Sequence, residues 1–253
     1  MTSDEVEKLI GSLPNKTCQS DPAPTWLGKE MRRLLSPFIC LLFNKSFTIG
    51  CFPQEFKEAV FRPLLKKSWL DASELKNYRP VSNLPFIFKL LEKVVQLRIQ
   101  ALFDSNGLMP VMQSVYRRFH STETAVTTVF NDLLRAEDGG QLSAQCVLDL
   151  TAAFDTVDHE LLLLRLERQF GLRGIVLDCF RSYLSGRSFC VVLNGRTSSI
   201  IYIICSVPQG SVLGPLLFIA YTADLTTIAE KHSICIADVG FRRLLKTHLF
   251  ALY

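Results

Sequence analysis

Two aspartates of this chain each follow a short apolar run of the kind that forms a buried strand. Asp149 ends the run that begins at Val147, and Asp238 ends the run that begins at Cys235. Carboxylate oxygens are the ligands that hard divalent cations take, and acids that converge from different strands can hold two metal ions around a displacement at phosphorus. The pair therefore indicates metal-dependent phosphoryl-transfer chemistry, although Asp149 taken singly is equally well explained as a helix-initiating or turn carboxylate.

The residues that follow Asp149 have simpler interpretations when each is taken alone. Asp155 and Asp158 are of the type that occupies turns and helix N-caps, where a carboxylate accepts hydrogen bonds from free backbone N–H groups. Phe154, judged by its composition alone, is a core aromatic residue. The stretch thus provides one candidate metal ligand and a turn that leads into a helix.

The elements that must position these residues alternate between strands and helices. Short β-rich runs predict strands around Val60–Leu65, Arg79–Val81, Ala144–Leu150 and His232–Ala237, and a hairpin over 188–205 with its turn at Asn194-Gly195. Apolar spacing and capping residues predict helices after Ser3, after Thr25 with a kink or break at Pro37, over Leu84–Asp104, from Ser121 or Thr122 to Gly139-Gly140, after Asp158, over Val176–Leu184, and from near Ser211 to about Leu225. This pattern predicts an α+β fold without internal repeats.

The composition is that of a globular protein and excludes several classes. Of the 253 residues, 48% are hydrophobic and 21% are charged, and the net charge of +4 permits nucleic-acid binding without demonstrating it. The eight cysteines form no CxxC pair, so reduced core thiols are favoured over a zinc site or a disulfide framework. The acidic amphipathic N-terminus is not a secretory signal, and no apolar stretch reaches the roughly 18 residues of a membrane helix. We therefore expect an intracellular protein without a membrane partner.

Several motifs follow one another along nearly the whole chain, from Glu5 to Asp238. They are GCFPQEFKEAVFRPLLKK, NYRPVSNLPFIFKLLEKVV, QSVYRRFHSTETA, VLDLTAAFDTVDH, VPQGSVLGPLLF and CIADVGF. In this order they resemble the reverse transcriptase domain of non-LTR retrotransposons, the LINE-like group of the jockey type. The last three resemble motifs A, B and C of that polymerase.

The resemblance implies roles for the residues of motifs A, B and C. Asp149 and Asp238 would be the catalytic metal ligands, and Phe154 would be the aromatic that stacks under the sugar and excludes a 2′-hydroxyl. Gln209 and Gly210 would form the floor under the incoming nucleotide and the template base, where glycine lets the backbone approach closely.

The resemblance also assigns roles to cations outside these three motifs. Lys66 or Lys67, together with Arg79, would contact the incoming triphosphate, and the sequence does not distinguish between the two lysines. Arg117 and Arg118 would line the template path or the fingers surface, and a solvated basic loop explains them equally well.

The chain departs from the family pattern at its third motif. The family has a second acid directly after the position of Asp238, and this chain has Val239 there. The residues that follow, GFRRLLKTHLFALY, do not resemble the family's continuation, and Val115 replaces the glycine of an earlier motif. We also expect that neither the thumb nor the N-terminal endonuclease of these elements is present. The resemblance therefore implies a polymerase domain that is inactive as this fragment.

The implied fold is the α+β fingers and palm of a right-hand polymerase, without a thumb. Its parts would be an N-terminal helical extension (1–58), a fingers-like region (59–145), a palm-like region (146–238) and an unmatched tail (239–253). The implied activity is RNA-directed DNA synthesis with an RNA template, a DNA primer and deoxynucleotides. Mg²⁺ or Mn²⁺ is expected only if the chain is active, and no protein partner is implied.

Two alternatives to an enzyme remain at this point. One is a non-catalytic remnant that binds nucleic acid through its fingers cations. The other is a translated relic with no selected function. The enzyme and the binding remnant share a fold and differ at Val239 and at the missing thumb.

Overall fold

The chain divides into two compact units. The computed structural model describes residues 1–15, 21, 24–109, 114, 119–143, 153–193, 195–208 and 210–231, with the backbone alone at 79–83, 226, 229 and 230. The first unit comprises 1–102 and 152–221, and the second comprises 103–151 and 222–253.

Helices make up most of the described residues, and short strands lie between them. The helices are α1 (Ser3–Ser12), α2 (Thr25–Glu30), α3 (Arg32–Ile49), α4 (Phe86–Ser105), α5 (Thr122–Asp138), α6 (His159–Arg168), α7 (Ile175–Leu184), α8 (Gly214–Thr222) and α9 (Asp224–Lys231). The strands are β1 (Glu58–Leu65), β2 (Tyr78–Asn83), β3 (Ser188–Leu193), β4 (Arg196–Thr197) and β5 (Ile201–Tyr202). The predicted α+β class is confirmed, as are the predicted strands near Val60 and Arg79.

The sheet of the first unit is built around β1. Strand β2 pairs with β1 in antiparallel fashion, and β3 pairs with β1 in parallel fashion. The rings of Phe61 on β1 and Phe189 on β3 lie 4.4 Å apart between their centroids. Such cross-strand aromatic pairs stabilise a sheet and fix its register.

The predicted hairpin forms, but its second strand is interrupted. Strand β3 ends at Leu193 and pairs in antiparallel fashion with β4, which begins at Arg196. Of the predicted turn, Gly195 has a φ of +76°, and Asn194 lies outside the described residues. The registers of β4 and β5 against β3 differ by one residue, so an extra residue bulges out between them. The hydroxyl of Ser198 accepts a hydrogen bond from the Val191 N–H at 3.0 Å and so compensates for the broken ladder.

Of the kink or break predicted at Pro37, the break is wrong, and a kink there stays a prediction. The helix breaks at Met31, between α2 and α3, and Pro37 lies inside α3. Proline removes one backbone donor from a helix, and the neighbouring Ser36 hydroxyl donates to the Arg32 carbonyl at 2.6 Å. Thr25, predicted as the cap, is instead the first residue of α2, and Pro24 occupies the N-cap position.

The other helix starts follow the sequence closely. Ser121 caps α5 and Asp158 caps α6, both through a side-chain oxygen that accepts a backbone N–H, as predicted. Helix α1 is capped by Thr2 rather than by Ser3, with the reciprocal Glu5 contact of a capping box. The predicted N-cap role of Asp158 is therefore confirmed.

The helix predicted from Ser211 to Leu225 is two helices. Helix α8 ends at Thr222, and α9 begins at Asp224. Helix α8 is apolar on all sides and largely buried, as its sequence GPLLFIAYT requires.

The core of the first unit contains an aromatic cluster. The ring of Phe88 on α4 is stacked on that of Tyr183 on α7, with centroids 6.1 Å apart and an interplanar angle of 1°. Phe52 meets the edges of both rings, at 6.3 Å from Phe88 and 5.1 Å from Tyr183. Aromatic pairs of this kind add to the hydrophobic stabilisation of a core, and here they join α4 to α7.

Candidate functional site

The segments that carry motifs A and B lie side by side in the first unit. The Val207 N–H donates to the Phe154 carbonyl at 2.9 Å, and the Ser206 N–H donates to the Val157 carbonyl at 2.8 Å. These backbone hydrogen bonds join the turn that precedes α6 to the residues just before Gln209. The structure therefore brings together two motifs that are far apart in the sequence.

A histidine that the sequence interpretation did not single out reinforces this contact. Nε2 of His159, the first residue of α6, lies 2.7 Å from the Ser206 carbonyl oxygen. Because a carbonyl only accepts hydrogen bonds, this ring nitrogen carries the proton in the bonded form. Ser206 has a positive φ of 106°, so the contact holds a residue in a conformation that non-glycine residues rarely adopt.

Phe154 is half-buried beside α8. Its ring centroid lies 5.1 Å from that of Phe218, with an interplanar angle of 41°. The side chain is therefore not sealed in the core, and its partial exposure is compatible with contact to a ligand. The proposed sugar contact of Phe154 remains a prediction.

Two glycines, Gly210 and Gly214, flank the described residues that lead into α8. Gly210 has a φ of +81°, a region that favours glycine. The Gly214 N–H donates to the Ser211 hydroxyl at 2.8 Å, as predicted for a residue near the start of α8. A Cβ atom on Gly214 would lie 2.6 Å from that hydroxyl, so a larger residue would displace the Ser211 side chain and disrupt this hydrogen bond.

A cavity of about 590 Å³ opens beside these segments in the first unit. Its volume lies within the range of small-molecule sites in proteins. Its lining is mainly apolar and comes from β1, β3 and the residues around both motifs, including Phe61, Tyr78, Asp155, Arg187, Val207 and Pro208. The cavity therefore borders the motif A turn and the residues that precede Gln209.

A buried carboxylate on α4 contacts the motif B turn. Glu92 is 0% exposed, and its Oε2 accepts a hydrogen bond from the Val212 N–H at 2.9 Å. Its Oε1 accepts one from the Tyr183 hydroxyl at 2.6 Å. Burial raises the pKa of Glu92 to about 7, although these hydrogen bonds and the nearby Arg187 charge oppose the rise. The sequence pattern gave no reason to single out Glu92.

Arg187 is the buried cation next to this carboxylate. It is 1% exposed, and its Nη1 donates to the Tyr183 carbonyl at 2.8 Å. Its guanidinium carbon lies 4.8 Å from the centre of the Tyr183 ring and 5.2 Å from that of Phe88. Cation–π contacts of this type stabilise a guanidinium that is removed from water. The core of the first unit therefore contains both the Glu92 carboxyl group and the Arg187 guanidinium.

The predicted phosphate-contacting cations lie around one end of the β1–β2 pair. Lys66 and Lys67 are exposed and follow directly after β1 rather than lying on it, and Arg79 is on β2 opposite Leu64. The Lys66 Nζ donates to the Lys76 carbonyl at 2.5 Å. The backbone thus brings Lys66 and Arg79 to the same end of the two strands.

Several predicted site residues lie outside the described residues. These are Asp149, Asp238, Gln209, Arg117 and Arg118. The predicted proximity of Asp149 to Asp238, and the cleft that Phe154 and Gln209 would share with Asp149, therefore remain predictions. Within the residues that the structure describes, no group of three or more His, Cys, Asp or Glu side chains could hold a metal ion.

No helix in the described parts of the chain combines the length and the apolar character that crossing a bilayer requires.

Comparison with known families shows which family the chain belongs to. The family model described as reverse transcriptase (RNA-dependent DNA polymerase) matches residues 64–242, which is more than half of the chain. The chain therefore belongs to the reverse transcriptase family.

Individual relatives come from mobile elements. The RNA-directed DNA polymerase from mobile element jockey of Drosophila melanogaster is 32% identical over 231 residues, which cover 90% of this chain and 25% of that protein. Its counterpart in Drosophila funebris is 33% identical over 231 residues, covering 89% and 24%. The probable RNA-directed DNA polymerase from transposon X-element of Drosophila melanogaster is 32% identical over 220 residues, covering 87% and 24%.

These relatives confirm the predicted resemblance to jockey-type, LINE-like retrotransposon reverse transcriptases. The chain spans about a quarter of the length of these curated relatives. The chain therefore corresponds to the reverse transcriptase domain of these longer proteins.

Proposed function

We propose that this domain provides the site at which a retrotransposon polymerase pairs an incoming deoxynucleotide with an RNA template. The observation that supports this proposal is the hydrogen-bonded contact between the Phe154 turn and the residues just before Gln209. A nucleotide needs a gate at its sugar and a floor under its base, and the motif A and motif B segments would supply them from adjacent positions. In this proposal, 59–145 are the fingers and 146–238 are the palm.

Asp149 and Asp238 would hold the divalent metal ions, Mg²⁺ or Mn²⁺. Carboxylate oxygens suit hard cations, so the donor chemistry of these two residues fits, whereas Val239 supplies no oxygen. Such ions, when bound, neutralise the charge that develops on the reacting phosphate. Phe154 would exclude a 2′-hydroxyl, and the turn at Gly210 would let the backbone approach the base pair.

A blocked ternary complex tests this proposal without requiring catalysis. The Kd of the full chain for an RNA template annealed to a dideoxy-terminated DNA primer would be measured by fluorescence anisotropy with Mg²⁺. We expect the complementary deoxynucleotide to lower this Kd at least about fivefold, the size of a modest coupling between two sites, and a non-complementary one to have no effect. In Phe154→Val, the matching ribonucleotide should lower the Kd as well.

A matched control separates the sugar contact of Phe154 from its packing. Phe218→Leu removes the same ring–ring contact and keeps the Phe154 ring, so we expect this variant to retain the preference for deoxynucleotides. Equal effects of complementary and non-complementary nucleotides on the unmodified chain would contradict the proposal.

A second candidate function is non-catalytic binding of nucleic acid. The observation that favours it is Val239 in place of the family's second acid. The same experiment distinguishes the two, because a binding remnant would hold the primer–template with a Kd that does not respond to any nucleotide.

The fingers cations predict a salt-dependent affinity under either function. Each phosphate contact contributes about 0.7–0.9 to the slope of log K against log salt. Because Lys66 and Lys67 are alternatives for one phosphate contact, we expect the Lys66→Ala/Lys67→Ala variant to lower this slope by about 0.7–0.9, measured as the Kd for the primer–template between low and physiological salt.

The control for this prediction is Lys8→Ala/Lys45→Ala, which removes the same charge from exposed positions on α1 and α3. The control should leave the slope nearly unchanged. Binding that is flat in salt, or an equal change in both variants, would argue against a phosphate-contacting surface at Lys66 and Lys67.

A further inference from the structure

The buried carboxylate of Glu92, on α4, makes hydrogen bonds to residues outside that helix. An acid in the middle of a core helix costs free energy unless its oxygens are hydrogen-bonded. Glu92 uses one oxygen for the Tyr183 hydroxyl on α7 and the other for the Val212 backbone N–H. Its contacts therefore reach the turn between Gly210 and α8, and a leucine at this position could not make them.

The contact attaches the turn to a helix that is distant from it in the sequence. Within the turn, the Ser211 N–H donates to the Pro208 carbonyl at 3.1 Å, and the Gly214 N–H donates to the Ser211 hydroxyl. Both of these bonds are local to the turn. Glu92 on α4 contacts the backbone of Val212 and Leu213, and its partner Tyr183 on α7 contacts the Ser211 side chain, so the Glu92–Tyr183 pair joins the turn to two other helices.

We infer that Glu92 is a positioning residue that fixes the motif B turn, and with it Gly210, through the Val212 N–H. This inference rests on the proposed function, because that function gives the turn its contact with the nucleotide. Glu92 itself is buried and would not touch the nucleotide. It would act by holding the turn in one conformation before the nucleotide arrives, which lowers the entropic cost of binding.

Three substitutions of Glu92 separate the acceptor from the charge. In Glu92→Gln, the amide oxygen can accept from Val212 while the amide N–H₂ donates to the Tyr183 oxygen. Glu92→Leu removes both acceptors at a similar volume. Glu92→Asp keeps the charge but shortens the side chain, so one carboxylate cannot reach both partners.

Amide hydrogen exchange of the folded full chain, followed by mass spectrometry over 208–214, measures the turn directly. We expect Glu92→Leu to speed exchange at Val212 about 10–100-fold, the range for loss of a hydrogen bond to a charged group. Glu92→Asp should speed it in the same direction, and Glu92→Gln should keep it near that of the unmodified chain. If the leucine variant fails to fold, the comparison of exchange at Val212 between Glu92→Asp and Glu92→Gln tests the inference by itself.

The control for general destabilisation is Ile10→Ala, at a fully buried position on α1. Removing a buried isoleucine side chain destabilises a core substantially, and we expect no selective increase in exchange at 208–214. Equal protection of Val212 in all Glu92 variants would overturn the inference.

The nucleotide effect in the blocked ternary complex connects the turn to function. We expect Glu92→Leu to retain primer–template binding but to lose the stabilisation by complementary deoxynucleotide, and Glu92→Gln to retain both. No nucleotide effect in the unmodified chain would contradict the proposed function and leave the exchange result intact. A nucleotide effect that survives in Glu92→Leu despite a released turn would instead contradict the positioning role.

Discussion

No DNA synthesis is expected when the purified chain is given a primed RNA template, deoxynucleotides and Mg²⁺ or Mn²⁺. Val239 stands where the family has an acid beside Asp238, and an apolar side chain contributes neither an oxygen ligand nor a negative charge. Two divalent ions carry four positive charges, and the carboxylates of Asp149 and Asp238 supply only two negative charges. Loss of one electrostatic element at a transition state typically lowers the rate on the order of 10²–10³-fold.

Primer extension on a homopolymer template, resolved on a denaturing gel, measures this. We also expect that Val239→Asp alone does not restore synthesis, because the residues after it do not resemble the family's next strand. Asp149→Ala is the matched negative control. Clear extension by the unmodified chain that Asp149→Ala abolishes would show a working polymerase and would refute the expectation.

Features that depend on local residues are the part of this fold that the sequence predicts well. Asp158 and Ser121 cap their helices because a short polar side chain next to an apolar run satisfies free N–H groups within the next turn. The prediction of a hairpin between β3 and β4 depends equally on local signals, the Asn-Gly pair between two β-rich runs. Each of these signals is complete within a few residues, so no knowledge of the rest of the fold is required.

The sequence-based predictions are wrong where two local signals compete, or where tertiary contacts determine where an element ends. Proline predicts a kink or break at Pro37, yet the break lies at Met31, and the Ser36 hydroxyl donates to a carbonyl in the first turn of α3. The second hairpin strand reads as one β-rich run, yet a one-residue change of register splits it. Sequence patterns therefore predict whether a segment is a helix or a strand, and which of its faces is buried, better than they predict where it is interrupted.

The candidate site shows the same division more sharply. Motif resemblance identifies Phe154 and Gly210, and the structure shows that the segments around them are hydrogen-bonded to one another. Glu92 could not be identified in this way, because its partners Tyr183 and Val212 are 91 and 120 residues away in the sequence. On the helical pattern alone, a glutamate followed by a lysine indicates an exposed face, and only the packed structure reveals a buried acid.

The buried acid also predicts how stability depends on pH. The pKa of Glu92 is about 7 in the folded chain against an ordinary value of 4.5, chiefly because burial disfavours the charged form. Between these values the folded chain retains a proton that the unfolded chain has released. The free energy of unfolding should therefore fall as pH rises from about 4.5 to about 7 and then level off, with a total loss on the order of 3 kcal/mol.

Glu92→Gln isolates this contribution because glutamine cannot ionise. Other titrating groups are common to both proteins, so the difference between their free energies of unfolding, measured by urea denaturation at each pH, reports Glu92 and its partners Tyr183 and Arg187. We expect the glutamine variant to gain on the order of 3 kcal/mol relative to the unmodified chain as pH rises through this window. A difference that stays constant with pH would mean that the Arg187 charge and the two hydrogen bonds offset the cost of burial, and that Glu92 is ionised throughout the range.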